Sequence, residues 1–239
     1  MRLICPRDNS QPPIDLETIT PSHMPSLLAE VADRLGLPYG YDQAAGKVYL
    51  GDRPAQGAIR LDVPYYYQGD SDVSGQAWRM CFSSSCAMLL EALKPGSVSG
   101  PNGDDQYLRR VIQYGDTTSA TAQLAALRHC GVRARYSQAL GWNDVDRHLE
   151  AGIPVPIGIL HHGPVTAPTG GGHWILVVGR DAKRESVLAH DPAGELDLVA
   201  GGYPSYGNGS YVTYSRANLG PRWMAEGPGT GWGILAWRP

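Results

Sequence analysis

Gln68–Leu93 reads QGDSDVSGQAWRMCFSSSCAMLLEAL, and its change of character at Cys81 decides how the rest of the chain is read. Residues 68–80 are polar and turn-prone. From Phe82 onward, small residues give way to Met88, Leu89, Leu90 and Leu93, interrupted by Glu91 and followed by Lys94, the spacing of a helix with one buried face. Pro95 and Gly96 stop it. Cys81 then falls at or just before the first turn, where unpaired backbone N–H groups and the positive end of the helix dipole stabilise a thiolate. A cysteine so placed is a candidate nucleophile. Cys86 lies a full turn further in and about 140° around the axis from Cys81. Burial there raises a thiol's pKa, so core packing is its expected task.

The chain of 239 residues is 42% hydrophobic and 18% charged with a net charge of −3, a globular composition with room for one sizeable domain and a small one. It holds no basic run and no aromatic-plus-arginine pattern, which excludes a nucleic-acid partner. The opening MRLICPRDNSQPP is not a signal peptide, and no apolar run is long enough to span a bilayer. Synthesis in the cytoplasm is expected, with release by lysis or carriage in a virion if the protein acts outside. Cys5, Cys81, Cys86 and Cys130 are too few and scattered for a disulfide framework. With no C-x-x-C pair and no H-E-x-x-H helix, neither a metal nor another cofactor is expected, although His161-His162 lies close in sequence to His173. Tyrosine (13) and tryptophan (6) far outnumber the single phenylalanine. Their flat faces with a polar handle suit recognition grooves as well as half-buried sheets.

Residues 1–55 read as a small α/β module: an edge strand over Met1–Cys5, a helix over Ser22–Gly36, and a hairpin of Tyr39–Tyr41 with Lys47–Leu50. It is either a docking or targeting module with a partner of its own, or an extension that covers the main domain. Residues 56–239 form that domain. Strands are expected at Ile59–Val63, Arg133–Tyr136, Pro156–Leu160, His173–Val178, Ser186–His190, Ser210–Tyr214 and Gly233–Trp237. Helices are expected over Asp104–Tyr114, over Ser119–Cys130, and from an Asn143 cap to Glu150. Helices first, then strands joined by short turns, predict an α+β fold with an antiparallel sheet rather than a doubly wound one.

His173 opens a strand after Gly170–Gly172, which let the backbone approach closely and leave the imidazole facing a cleft. Asp191 follows the next strand in His190-Asp191-Pro192. A short hairpin sets the start of one strand beside the end of the other, so His173 and Asp191 fall at one sheet edge. Thiol at a helix start, then histidine at a strand start, then carboxylate is the order used by papain-like cysteine hydrolases.

These pieces together resemble the papain-like peptidases related to the bacteriocin leader-cleaving, double-glycine group in stand-alone form. The residues that carry the resemblance are Val63-Pro64-Tyr65 with Gln68, Cys81 with Ser85 and Ala87-Met88, Gly171-Gly172-His173-Trp174 with Val178-Gly179, and Asp191-Pro192. The likeness spans roughly residues 59 to 237, about three-quarters of the chain. It implies a papain-like fold, with an N-terminal helix carrying the cysteine on an antiparallel sheet carrying histidine and aspartate. It further implies Cys81 as nucleophile, His173 as general base and acid, Asp191 as its orienter and Gln68 as oxyanion donor. Two departures stand out: Phe82-Ser83 replaces the family's Gly-Pro, and the Gln68–Cys81 segment is longer, which puts Gln76 in competition for the oxyanion. Gln76, Trp78, Gly172, Trp174 and His162 are the candidate substrate-binding residues. The expected activity is hydrolysis of peptide or amide bonds, first of all in peptidoglycan stem peptides, as in phage-lysin or virion-associated enzymes. The alternatives are an intracellular protein-processing peptidase and an inactive binding or structural protein on the same fold.

Overall fold

In the computed structural model, residues 39–42, 47–50 and 57–238 are described, and the chain divides into two units, Met1–Gln56 and Gly57–Pro239. In the first unit β1 (Tyr39–Asp42) and β2 (Lys47–Leu50) pair antiparallel, with Tyr39 opposite Leu50. The strand expected over Met1–Cys5 and the helix over Ser22–Gly36 lie outside the described residues.

The second unit is built on a seven-stranded sheet of β3 (Ile59–Arg60), β4 (Arg133–Leu140), β5 (Val155–Ile159), β6 (His173–Arg180), β7 (Ser186–His190), β8 (Val212–Ser215) and β9 (Gly231–Trp237). The spatial order is β4-β9-β5-β6-β7-β8, with β3 on the end of β6, and every pairing is antiparallel. Helices α1 (Cys81–Leu93), α2 (Gly103–Val111) and α3 (Ala120–His129) precede most of the sheet; α4 (Trp142–Glu150) and α5 (Arg216–Trp223) are set among its strands. The fold is α+β with the papain-like arrangement.

Side chains alternate along β6. Leu176 and Val178 pack with Met88, Leu89 and Leu90 of α1. Ile175 and Val177 pack with Val145 and Leu149 of α4 and with Leu219 and Trp223 of α5. Helices thus cover both faces of the sheet, which is why its central strands read as nearly unbroken apolar runs instead of an apolar-polar alternation.

Several elements differ from the sequence expectation: β3 stops at Arg60, short of Val63, β4 runs past Tyr136 to Leu140, and three helices differ as well. The α4 helix begins at Trp142 rather than after an Asn143 cap, because the Asp144 carboxylate reaches back to accept from Gly141 N–H at 2.9 Å. The α2 helix ends at Val111, before Tyr114, and leaves Ile112 48% exposed. The α5 helix was not anticipated. Ser215 caps it by accepting from Asn218 N–H, and it carries Pro221 inside.

Arg222 on α5 is the pin between this helix and the loops near the mouth of the sheet. Its buried guanidinium donates to the carbonyls of Leu198 (2.8 Å), Leu160 (3.0 Å), His162 (3.2 Å) and Gly163 (2.7 Å). Replacing it with methionine keeps the bulk but strands these acceptors. Arg222→Met is expected to cost about 3 kcal/mol and to lower the melting temperature by about 6–12 °C, measured by thermal denaturation.

Candidate active site

Leu176 of β6 pairs with His190 of β7, so the start of β6 and the residue after β7 meet at one end of the sheet. There His173 Nε2 lies 2.7 Å from Asp191 Oδ1, with both side chains buried. Cys81 lies close enough to act on the charge of the same ring. Cys81 is the first residue of α1, follows Met80 with no side-chain cap, and is half-buried. Its neighbours in the first turn therefore keep unpaired N–H groups aimed along the helix start. Cys86, by contrast, is fully buried, and burial pushes its thiol up.

Burial alone would lower the His173 imidazole. The Asp191 carboxylate and the Cys81 sulfur outweigh it through charge and hydrogen bonds, and hold it at about 10. A histidine raised in the folded state stabilises the fold fully below its unfolded pKa of about 6.5 and loses that contribution as pH rises. The loss runs through about 10 for His173. Denaturant melts should therefore show the wild type's advantage over His173→Ala shrinking between neutral pH and the far side of that value.

Asp191 is saturated with donors. Besides His173, Oδ1 accepts from Ala193 N–H (3.0 Å), and Oδ2 accepts from the hydroxyls of Tyr214 (2.9 Å) and Tyr203 (3.1 Å). Burial first, and the carboxylate's charge second, raise both phenols above their ordinary range, which keeps them protonated as donors. Sequence reading missed these two residues. The available clue was the preference for tyrosine over phenylalanine, since a tyrosine fills apolar space and still brings a donor. The backbone turn at Asp191 is equally crowded. Asp191 N–H donates to Gly209 O at 2.9 Å, Tyr65 OH donates to Asp191 O at 3.0 Å, and a Cβ on Gly209 would overlap the Asp191 carbonyl. Tyr214→Phe strips both an Asp191 oxygen and the Leu196 N–H of a partner. It should cost about 2 kcal/mol in unfolding free energy, read from denaturant melts.

Gln68 opens a short 3₁₀ turn, is buried, and donates its backbone N–H to Pro192 O at 3.0 Å, which ties it to the Asp191 turn. Gln76 is half-buried on the segment leading to Cys81. Both carry a buried side-chain oxygen without a partner. Trp78 is 60% exposed and meets Tyr206, 58% exposed, edge-on at 5.0 Å between ring centroids. Tyr206 stacks on Tyr203, and Tyr203 meets the His173 ring edge-on at 5.5 Å. An aromatic run therefore leads from the surface to the imidazole. Gly172 is half-exposed and adopts φ +91°, a conformation that favours glycine and turns the chain into His173.

His162 is exposed and its ring lies tilted against that of His161, 4.0 Å between centroids, and the His161 ring lies 5.6 Å from that of His173. His161 was not singled out as a site residue. Burial, then the charges of His173 and His162, lower it to about 4, so it is neutral beside the raised His173. Among the described residues no group of three or more histidine, cysteine or acidic side chains is placed to hold a metal ion. Trp174, a candidate substrate-binding residue, follows His173 on β6. It is half-buried, packs against the α1-side core, and stacks on Phe82. Trp223 is fully buried in the core between α5 and the sheet.

A half-buried thiol at the start of a helix that packs on an antiparallel sheet, with an imidazole at the sheet's edge, defines the class of papain-like cysteine hydrolases. Within it, the chain belongs to the Peptidase_C39-like family, whose profile matches residues 60–211, and it is a cysteine peptidase of that family. Among solved structures it is similar to a putative C39-like peptidase from Bacillus anthracis, with 15% identity and a TM-score of 0.53 over 77% of this chain and 99% of that one. A double glycine motif protease from an AMS/PCAT transporter, in complex with its leader peptide, aligns at 14% identity and a TM-score of 0.43, over 77% of this chain and 100% of that one. No curated protein matches. Among the described residues no helix is long and apolar enough to cross a membrane.

Proposed function

We propose that the chain hydrolyses peptide bonds with Cys81 as nucleophile, His173 as general acid and base, and Asp191 as the group that orients His173. The observation that carries this reading is one imidazole hydrogen-bonded to a buried carboxylate and set beside a half-buried cysteine at a helix start. A histidine raised to about 10 is protonated at neutral pH and holds a proton ready for the leaving amine, while Cys81 attacks as the thiolate. The thiolate adds to the scissile carbonyl carbon, and the oxyanion is held by the Cys81 N–H and by a glutamine amide, each donor worth about 3 kcal/mol. His173 then gives its proton to the leaving amine as the C–N bond breaks and the thioester forms. Water, deprotonated by the now neutral His173, attacks the thioester, releases the carboxylic acid and restores the thiolate. We assign the glutamine as Gln68. Its buried position and its tie to Pro192 support this over Gln76, because a pre-placed donor loses no orientation in the reaction.

As substrate we assign the stem peptides of peptidoglycan, with the Met1–Gln56 unit docking the enzyme to its target. What supports the assignment is the organisation of the chain as a peptidase unit accompanied by a separate small one. Turbidity of purified cell walls should fall with wild-type protein and stay constant with Cys81→Ser, a loss of at least about a thousandfold. Walls left intact while a protein substrate is cleaved would move the assignment to protein processing. Iodoacetamide should modify Cys81 and spare Cys86; the reverse would sink the nucleophile. The hydrolysis rate should also decline as pH rises through about 10, where His173 loses the proton needed by the leaving amine.

A further inference from the structure

The one phenylalanine of the chain, Phe82, directly follows Cys81, and Trp174 directly follows His173. Their rings lie parallel to within 2°, with centroids 3.6 Å apart. Phe82 is 2% exposed. Trp174 has little room to retreat. Opposite it in β5 stands Gly158, where a Cβ would come within 3.2 Å of both the Trp174 and Trp232 rings. Tyr136 leans against it at 6.4 Å. Ring quadrupoles favour offset or edge-on contacts over such a close parallel stack. The contact therefore acts less as an attraction than as a spacer of two rigid plates held together by their surroundings.

Each plate is one residue away from a reacting side chain, about 3.8 Å along the backbone. Any change in ring spacing passes to the thiol and the imidazole with little room to be absorbed. We propose that the Phe82–Trp174 stack sets the separation between Cys81 and His173, which makes both aromatics positioning residues. The proposal rests on the reading of Cys81 and His173 as the thiolate–imidazolium pair. In this arrangement the Phe82 ring gauges the distance between the start of α1 and the start of β6.

The test uses the full chain and the pH dependence of Cys81 alkylation by iodoacetamide, located by peptide mass mapping. It compares wild type, Phe82→Leu, Trp174→Leu, the double variant and Trp174→Phe, with thermal melts as a check on folding. In the wild type, Cys81 should react at about pH 5, where an unpaired thiol with a pKa near 8.5 is almost fully protonated. Phe82→Leu and Trp174→Leu should each slow that low-pH reaction roughly tenfold or more, since a misplacement of about 1 Å costs on the order of a hundredfold in such sites. The double variant should be no slower than either single one, and Trp174→Phe should stay near wild type. A folded Phe82→Leu with the wild-type profile overturns the spacer. If Phe82→Leu does not fold, Phe82→Met is compared with Trp174→Phe by the same criterion. A wild-type Cys81 that alkylates only as an ordinary thiol overturns the pair itself, an outcome distinguishable from failure of the stack alone.

Discussion

A carboxylate removed from water must be compensated by donors or it will not stay charged, and Asp191 is such a carboxylate. It draws on four elements for its partners: His173 from β6, Ala193 from its own turn, Tyr203 from the loop that follows, and Tyr214 from β8. The antiparallel register of β6, β7 and β8 is what brings three of those elements within reach of one another. The imidazole is fixed on one side by this cage and lies near Cys81 at the start of α1. Helix and sheet meet through the apolar cluster of Met88, Leu89 and Leu90 with Leu176 and Val178. The proposed site thus lies where a sheet edge meets a helix start, and neither element makes it alone.

The loops around this point follow from the same constraint. Arg222 gathers the carbonyls of two loops from beneath, while Tyr65 reaches across to the Asp191 carbonyl from the segment after β3. Loop backbone so close to the core must satisfy its polar groups inside the protein. Side chains with a long reach and a donor at the tip, arginine and tyrosine, do that here.

What was legible in the sequence was local. The start of α1 at Cys81, the β6–β7 hairpin and the pairing of His173 with Asp191 could be read because each depends on a short stretch with clear periodicity or turn residues. The α5 helix could not, since Arg216–Trp223 offers only Leu219 and Trp223 as apolar residues four apart and interrupts them with Gly220 and Pro221. Tyr203 and Tyr214 escaped notice because their value lies in where the register of distant strands delivers a hydroxyl. The packing of Trp174 could be read from the strand period alone. Its neighbour His173 faces the cleft, but a strand turns successive side chains to opposite faces, and the next ring goes to the core. Gln68 and Gln76 were not separable from sequence, because the aim of an amide depends on the path of the irregular segment between them.

The segment from Gly201 to Gly209 looks from sequence like an ordinary surface loop, yet its backbone is stitched to the aspartate turn at both Gly207 and Gly209, while Tyr203 holds the carboxylate from within it. Surface loops usually absorb insertions and deletions with ease. This one cannot: a single added residue would slip either the phenol or the glycine out of place. Its length is locked even though its exposed side chains are free to vary, so new substrate preference would have to arise here by exchanging residues such as Tyr206 and never by growing the loop.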